Sequence, residues 1–273
     1  MSIANRNFKS SVFTHLFGVP ENERELYNAI APGRFPLDAK VEDVTLKNVL
    51  YMDRVNDLSF TIENKLVVLF EHQSSINENM PLRDLIYCAR VYELIISNDM
   101  LYSEKRVNIP TPEFYVLYNG KKEFQEKAVY RLSDSFALPW EGEPALELVV
   151  NVFNVNKGYN VDLVKRSETL NGYVTFVALV RRNEEKGLDR ATAIEEAIKE
   201  CIKLGMLVEY LEKYASEVLN MLMGEWNWDD ARAVWEKEAE ARGEAQSDAK
   251  WQSVLADKDA TIAKLQALLG AQT

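Results

Sequence analysis

The stretch from Asn56 to Arg83, NDLSFTIENKLVVLFEHQSSINENMPLR, limits what this chain can fold into more than any other. Two runs of apolar and β-branched residues, Ser59–Ile62 and Leu66–Phe70, flank Glu63-Asn64-Lys65, which has turn chemistry, so a β-hairpin is expected. If Ile62 faces Leu66, the same register carries Asp57 to a position opposite Glu71. Two carboxylates facing each other across a ladder cost stability unless something neutralises them. Side chains alternate along a strand, so Gln73 points to the same side as Glu71. Asp57, Glu71 and Gln73 are thereby expected to converge at one end of the hairpin.

A divalent cation would neutralise that pair. Mg²⁺ or Mn²⁺ takes oxygen ligands, commonly one or two carboxylates completed by water and a substrate phosphate. Asp57 and Glu71 are the candidate metal ligands, and the backbone carbonyl of His72 could add a third oxygen. The His72 side chain points away from its two neighbours by the same alternation, which favours packing or hydrogen bonding over a role as general base. The competing reading is a hairpin whose polar ends face water.

Elsewhere the pattern mixes strands and helices. A helix is expected from Pro20 to Ile30, with proline at its first position, acids in its first turn and Pro32-Gly33 ending it. Val44–Tyr51 reads as a strand. The segment NMPLRDLIYCARVYELIISNDM places Leu82, Leu85, Ile86 and Ala89 at helical spacing, with Arg83, Tyr87 and Arg90 along one side. EFYVLYNG reads as a short strand closed by Asn119-Gly120, a strong turn signal, and Leu146–Asn154 as a buried strand. From about Ser167 the chain reads as helical, first to Lys186-Gly187, then from an N-cap at Asp189 to Met223. Arg181-Arg182 read as a solvated helix end.

Of the 273 residues, 47% are hydrophobic, enough for a sizeable core, and no run of about 18 apolar residues suggests a membrane span. The N-terminus lacks the apolar stretch of a secretory signal. Cys88 and Cys201 read as separate buried thiols, and a cytoplasmic location is the expectation. The net charge is −11; residues 225–273 carry ten acids against six bases, leaving −7 on the remainder. So acidic a body is unusual for a nucleic-acid binder, whose affinity comes largely from neutralising phosphates. Trp251, Leu255, Ile262, Leu265 and Leu269 fit heptad positions that Lys258 interrupts, which makes the last helix a candidate for homo-oligomerisation. Trp226, Trp228 and Trp235 lie among acids, which favours anchoring of the tail over stacking on bases.

The Asp57, hairpin and Glu71-x-Gln73 pattern resembles the PD-(D/E)XK nuclease superfamily. VNDLSF, LFEHQSS, NMPLRDLIYCARVYE, EFYVLYNG and SEVLNMLMGEWNWDDARAVW together resemble, more narrowly, the bacterial recombination-promoting nuclease family, whose members are also described as transposase-like. The resemblance extends to about Trp235. It implies an α/β fold with a restriction-endonuclease-like mixed sheet flanked by helices, followed by a C-terminal helical region and a terminal helix. The expected divisions are a nuclease core over 1–165, a helical cap over 166–224 and a polar helical tail over 225–273.

The resemblance further implies metal-dependent cleavage of DNA phosphodiesters, with Asp57, Glu71 and Gln73 as catalytic residues and Mg²⁺ or Mn²⁺ as cofactor. Gln73 stands where the superfamily usually has lysine; an amide can hydrogen-bond but brings no charge to the transition state. Glu25 is a candidate for the acid that many members carry on their opening helix. Arg83 and Arg90 are candidates for gripping substrate phosphate, their alternative being ion pairs with acids such as Asp84 or Glu93. With no recognisable base-reading module, little sequence preference is expected. The alternative function is an accessory protein that keeps the fold with weak or absent catalysis and oligomerises through its last helix.

Overall fold

The computed structural model describes residues 12–44, 57–138 and 142–223. In chain order they form α1 (Val12–Phe17), α2 (Pro20–Ile30), β1 (Val41–Asp43), β2 (Leu58–Ile62), β3 (Leu66–Gln73), α3 (Met80–Ile95) and α4 (Asn98–Leu101). There follow β4 (Thr111–Tyr118), β5 (Lys127–Arg131), β6 (Val149–Asn154), α5 (Val161–Lys165), α6 (Glu168–Glu185) and α7 (Arg190–Lys203), then a helix α8 over 208–223. The first compact unit ends at Met223, and residues 224–273 form a second. The tail heptads and the tryptophan cluster lie outside the described residues, as does most of the strand expected over Val44–Tyr51; the strand observed there is Val41–Asp43.

The hairpin forms in the expected register, with Ile62 opposite Leu66 and Leu58 opposite Phe70. Glu63 and Asn64 both adopt positive φ, and Lys65 N–H donates to the Ile62 carbonyl at 2.9 Å. That local twist suits the right-handed twist of the flanking strands. Every residue of Leu66–Phe70 is buried, as befits a central strand covered on both faces. β3 continues the sheet by pairing parallel with β4, and β4 pairs parallel with β6. The order is β1-β2-β3-β4-β6-β5, a six-stranded mixed open sheet in an α/β fold.

Asn119-Gly120 ends β4 without making a hairpin, because β5, next in the chain, pairs antiparallel with β6 at the sheet edge. Glycine is needed there for close approach: a Cβ at Gly120 would collide with the Ser74 carbonyl oxygen. The expected apolar face of α3 is corrected too. Leu82 and Ala89 are exposed, whereas Met80, Pro81, Asp84, Tyr87, Cys88 and Val91 are buried. Of these, Met80, Tyr87, Cys88 and Val91 share one core with Val67, Leu69, Phe114, Val116, Val150 and Val152 of the sheet. On the opposite face, His72 stacks on Phe13 of α1 and meets Tyr173 of α6. Asp189 caps α7 as expected, and Ser167, near which the helical run was expected to start, caps α6. The helical run to Met223 is broken around Gly205 and Leu207, both at positive φ.

Candidate acidic site at the mouth of the hairpin

Asp57 immediately precedes β2, so the pairing of Leu58 with Phe70 continues to bring Asp57 against Glu71. The two carboxylates are close enough for Asp57 to help raise the pKa of Glu71. One oxygen of Asp57 accepts the His72 backbone N–H at 2.6 Å. A strand residue sends its N–H and carbonyl to the same side, so the His72 carbonyl leaves β3 toward Asp57. Alternation puts Glu71 and Gln73 on the face covered by α3.

That helix supplies what the hairpin alone does not. Arg83 Nη2 donates to Glu71 Oε2 at 3.2 Å and to the Tyr87 hydroxyl at 3.1 Å, while Nη1 reaches Met80 Sδ at 3.3 Å. Gln73 is partly buried, and its Nε2 donates to Met80 Sδ at 2.7 Å. Asp84, one residue beyond Arg83, is 1% exposed and acts electrostatically on both Glu71 and Arg83. Glu71 Oε1 and Asp84 Oδ1 are buried and make no hydrogen bond among the described residues.

The electrostatics follow from burial. Desolvation pushes the Asp57 carboxyl up to about 6, although the residue keeps part of its surface exposed, and the His72 N–H and Arg83 restrain the rise. Glu71 is raised well above the carboxylate range by burial first and by Asp57 second, with Arg83 opposing. Asp84 is pushed up to about 8 by burial. Three acids thus bear on one guanidinium. Sequence reasoning took Asp84 only as an ion-pair partner for an arginine and missed its burial, because a charged residue in a helix reads as solvated. Its position four residues from both Met80 and Cys88, on the buried stripe, was the available signal.

Other expected site residues go elsewhere. Glu25 is a correction: its carboxylate accepts from Thr169 N–H at 3.1 Å and Thr169 Oγ1 at 2.6 Å, capping the first turn of α6. The fully buried acid of α2 is Glu23. Arg90 pairs with Glu93 at 2.6 Å on the exposed side of α3. The His72 side chain lies across the sheet, its Nε2 2.9 Å from the Tyr173 hydroxyl, and burial and Arg181 push its pKa down to about 3. Arg181 is no solvated helix end: it is partly buried, donating to the Asn119 carbonyl and to Asn156 Oδ1.

The donor set, two hard carboxylate oxygens at one edge with a buried unpaired Glu71 oxygen, suits a cation such as Mg²⁺ or Mn²⁺. Among the described residues no three His, Cys, Asp or Glu side chains gather at metal-holding distance, so a cation here would rest on Asp57, Glu71, a backbone oxygen and water. No helix among the described residues is long and apolar enough to cross a membrane. No family model, curated protein or solved structure matches the chain.

Proposed function

We propose that this chain is a PD-(D/E)XK nuclease of the recombination-promoting type: a metal-dependent DNA endonuclease of little sequence specificity, serving recombination or mobile elements. The observation that carries the reading is the meeting of Asp57 and Glu71 at the hairpin mouth, with Gln73 two residues on. Asp57, Glu71 and the His72 carbonyl would hold Mg²⁺ or Mn²⁺, which when bound lowers the pKa of a water and neutralises charge on the scissile phosphate. The chain's own residues do the rest. Arg83, which pairs with Glu71, would engage phosphate oxygens through its planar fork. Gln73, released from Met80, could orient a water through its amide but adds no charge, so slow turnover is expected.

The test is plasmid nicking in Mg²⁺ or Mn²⁺. Asp57→Ala and Glu71→Ala should each reduce it to background; two variants that cut as well as wild type would remove this site from the chemistry. The contact of Gln73 with Met80 favours one second reading, a catalytically weak accessory protein of the same fold that oligomerises through its last helix. DNA binding without cleavage in any divalent cation would select it.

A further inference from the structure

We propose that Arg83 is the built-in counter-ion of the acidic site: its guanidinium holds Glu71 until a divalent cation takes that carboxylate, and is thereby released toward substrate phosphate. This rests on reading Asp57 and Glu71 as cation ligands. Glu71 lies 4% exposed against a second carboxylate, and a buried charge of this kind needs a compensating partner. In the fold that partner is Arg83, reached across the gap between β3 and α3.

The geometry of the pair is that of a displaceable contact. A guanidinium can grip a carboxylate through two parallel bonds of about 2.7–2.9 Å. Arg83 offers Glu71 one, at 3.2 Å, and shares the donating nitrogen with the Tyr87 hydroxyl. The Arg83 side chain is 34% exposed where that of Glu71 is 5% exposed, so the cationic partner has much the wider path to water. Asp84 remains within electrostatic reach of Arg83, and Tyr87 offers its ring beneath the guanidinium 5.7 Å from the centroid. Both would keep Arg83 beside the site after it leaves Glu71. A dication brings twice the charge of a guanidinium to the same oxygens, so the two compete for Glu71.

Calorimetric titration of Mn²⁺ into the full chain, compared with Arg83→Gln, Arg83→Lys and Asp57→Asn, decides the matter. Arg83→Gln should bind Mn²⁺ about tenfold more tightly than wild type, because the competing charge is gone, and Arg83→Lys should stay near wild type. By nuclear magnetic resonance, the Arg83 Nε–H signal should move when Mg²⁺ is added to wild type and stay in place in Asp57→Asn. Unchanged or weaker Mn²⁺ binding by a folded Arg83→Gln overturns the counter-ion role. If Asp57→Asn has meanwhile lost binding, the cation reading survives that result. Binding by none of the proteins, or equally by all four, overturns the cation reading and this role together. Should Arg83→Gln fail to fold, an unmoved Nε–H signal in cation-loaded wild type is the overturning result.

Discussion

Asp84 is the residue whose placement most changes what the molecule is expected to do. It occupies a position on α3 where an apolar side chain would pack, and burial pushes its carboxyl up to about 8. The folded state therefore holds a proton that the unfolded chain has lost, and the stabilisation is complete below the unfolded value and fades as pH rises toward 8. His72 acts oppositely: pushed down to about 3, it favours folding above its ordinary value, and its contribution is lost as pH falls. Above about pH 6.5 the opposing contribution of the histidine dwindles, and the buried carboxyls Asp84 and Glu71 dominate the slope. Urea unfolding at pH 6.5 and 8.5 should show a loss on the order of 1–2 kcal/mol with rising pH, and Asp84→Asn should reduce it. A variant as pH-sensitive as wild type would mean that the slope comes from another group. The facing of Asp57 and Glu71 was legible because a turn and an alternation are local. The proton on Asp84 was not, because it depends on which face of a helix the sheet covers.

Among the elements, β3 carries the most: its Val67 and Leu69 side feeds the core under α3, and its last turn of alternation delivers Glu71 and Gln73 to that face and His72 to the other. Its hairpin with β2 could be read from sequence, register included, because turn residues and two apolar runs specify it without help from the rest of the chain. The partners on its other side could not. β4 and β6 arrive by parallel pairing after long connections, and periodicity says nothing about which strand lies beside which. Asn119-Gly120 illustrates the limit, having the composition of a hairpin turn while serving the packed end of β4. Gly120→Ala should destabilise the protein by about 2 kcal/mol, because the added methyl meets backbone of the Ser74 segment rather than a side chain that can move. Thermal unfolding checks this, and a melting temperature equal to wild type would mean that the two strand ends are free to part. The break between α7 and α8 was equally hidden, since the helical pattern runs through it while Gly205 and Leu207 turn the backbone.

For the whole molecule, a net charge of −11 sets the terms on which any polyanion can approach. If DNA is the substrate, a cation held by Asp57 and Glu71 must supply charge that the protein surface lacks. Fluorescence anisotropy with a labelled duplex should therefore record binding in Mg²⁺ that chelation abolishes. Equal binding in chelator would show that protein cations suffice. Local sequence alone settled the hairpin register, the convergence of Asp57 with Glu71, the start of α2 at Pro20 and the cap at Asp189, because each depends on backbone geometry within a few residues. Only the tertiary structure decided that Arg83 rather than solvent faces Glu71, that Gln73 turns to Met80, that Glu25 caps α6 and that His72 meets Tyr173. Those contacts join residues on separate elements, the last two spanning 144 and 101 positions, and they exist because the sheet order and the buried face of each helix bring them together.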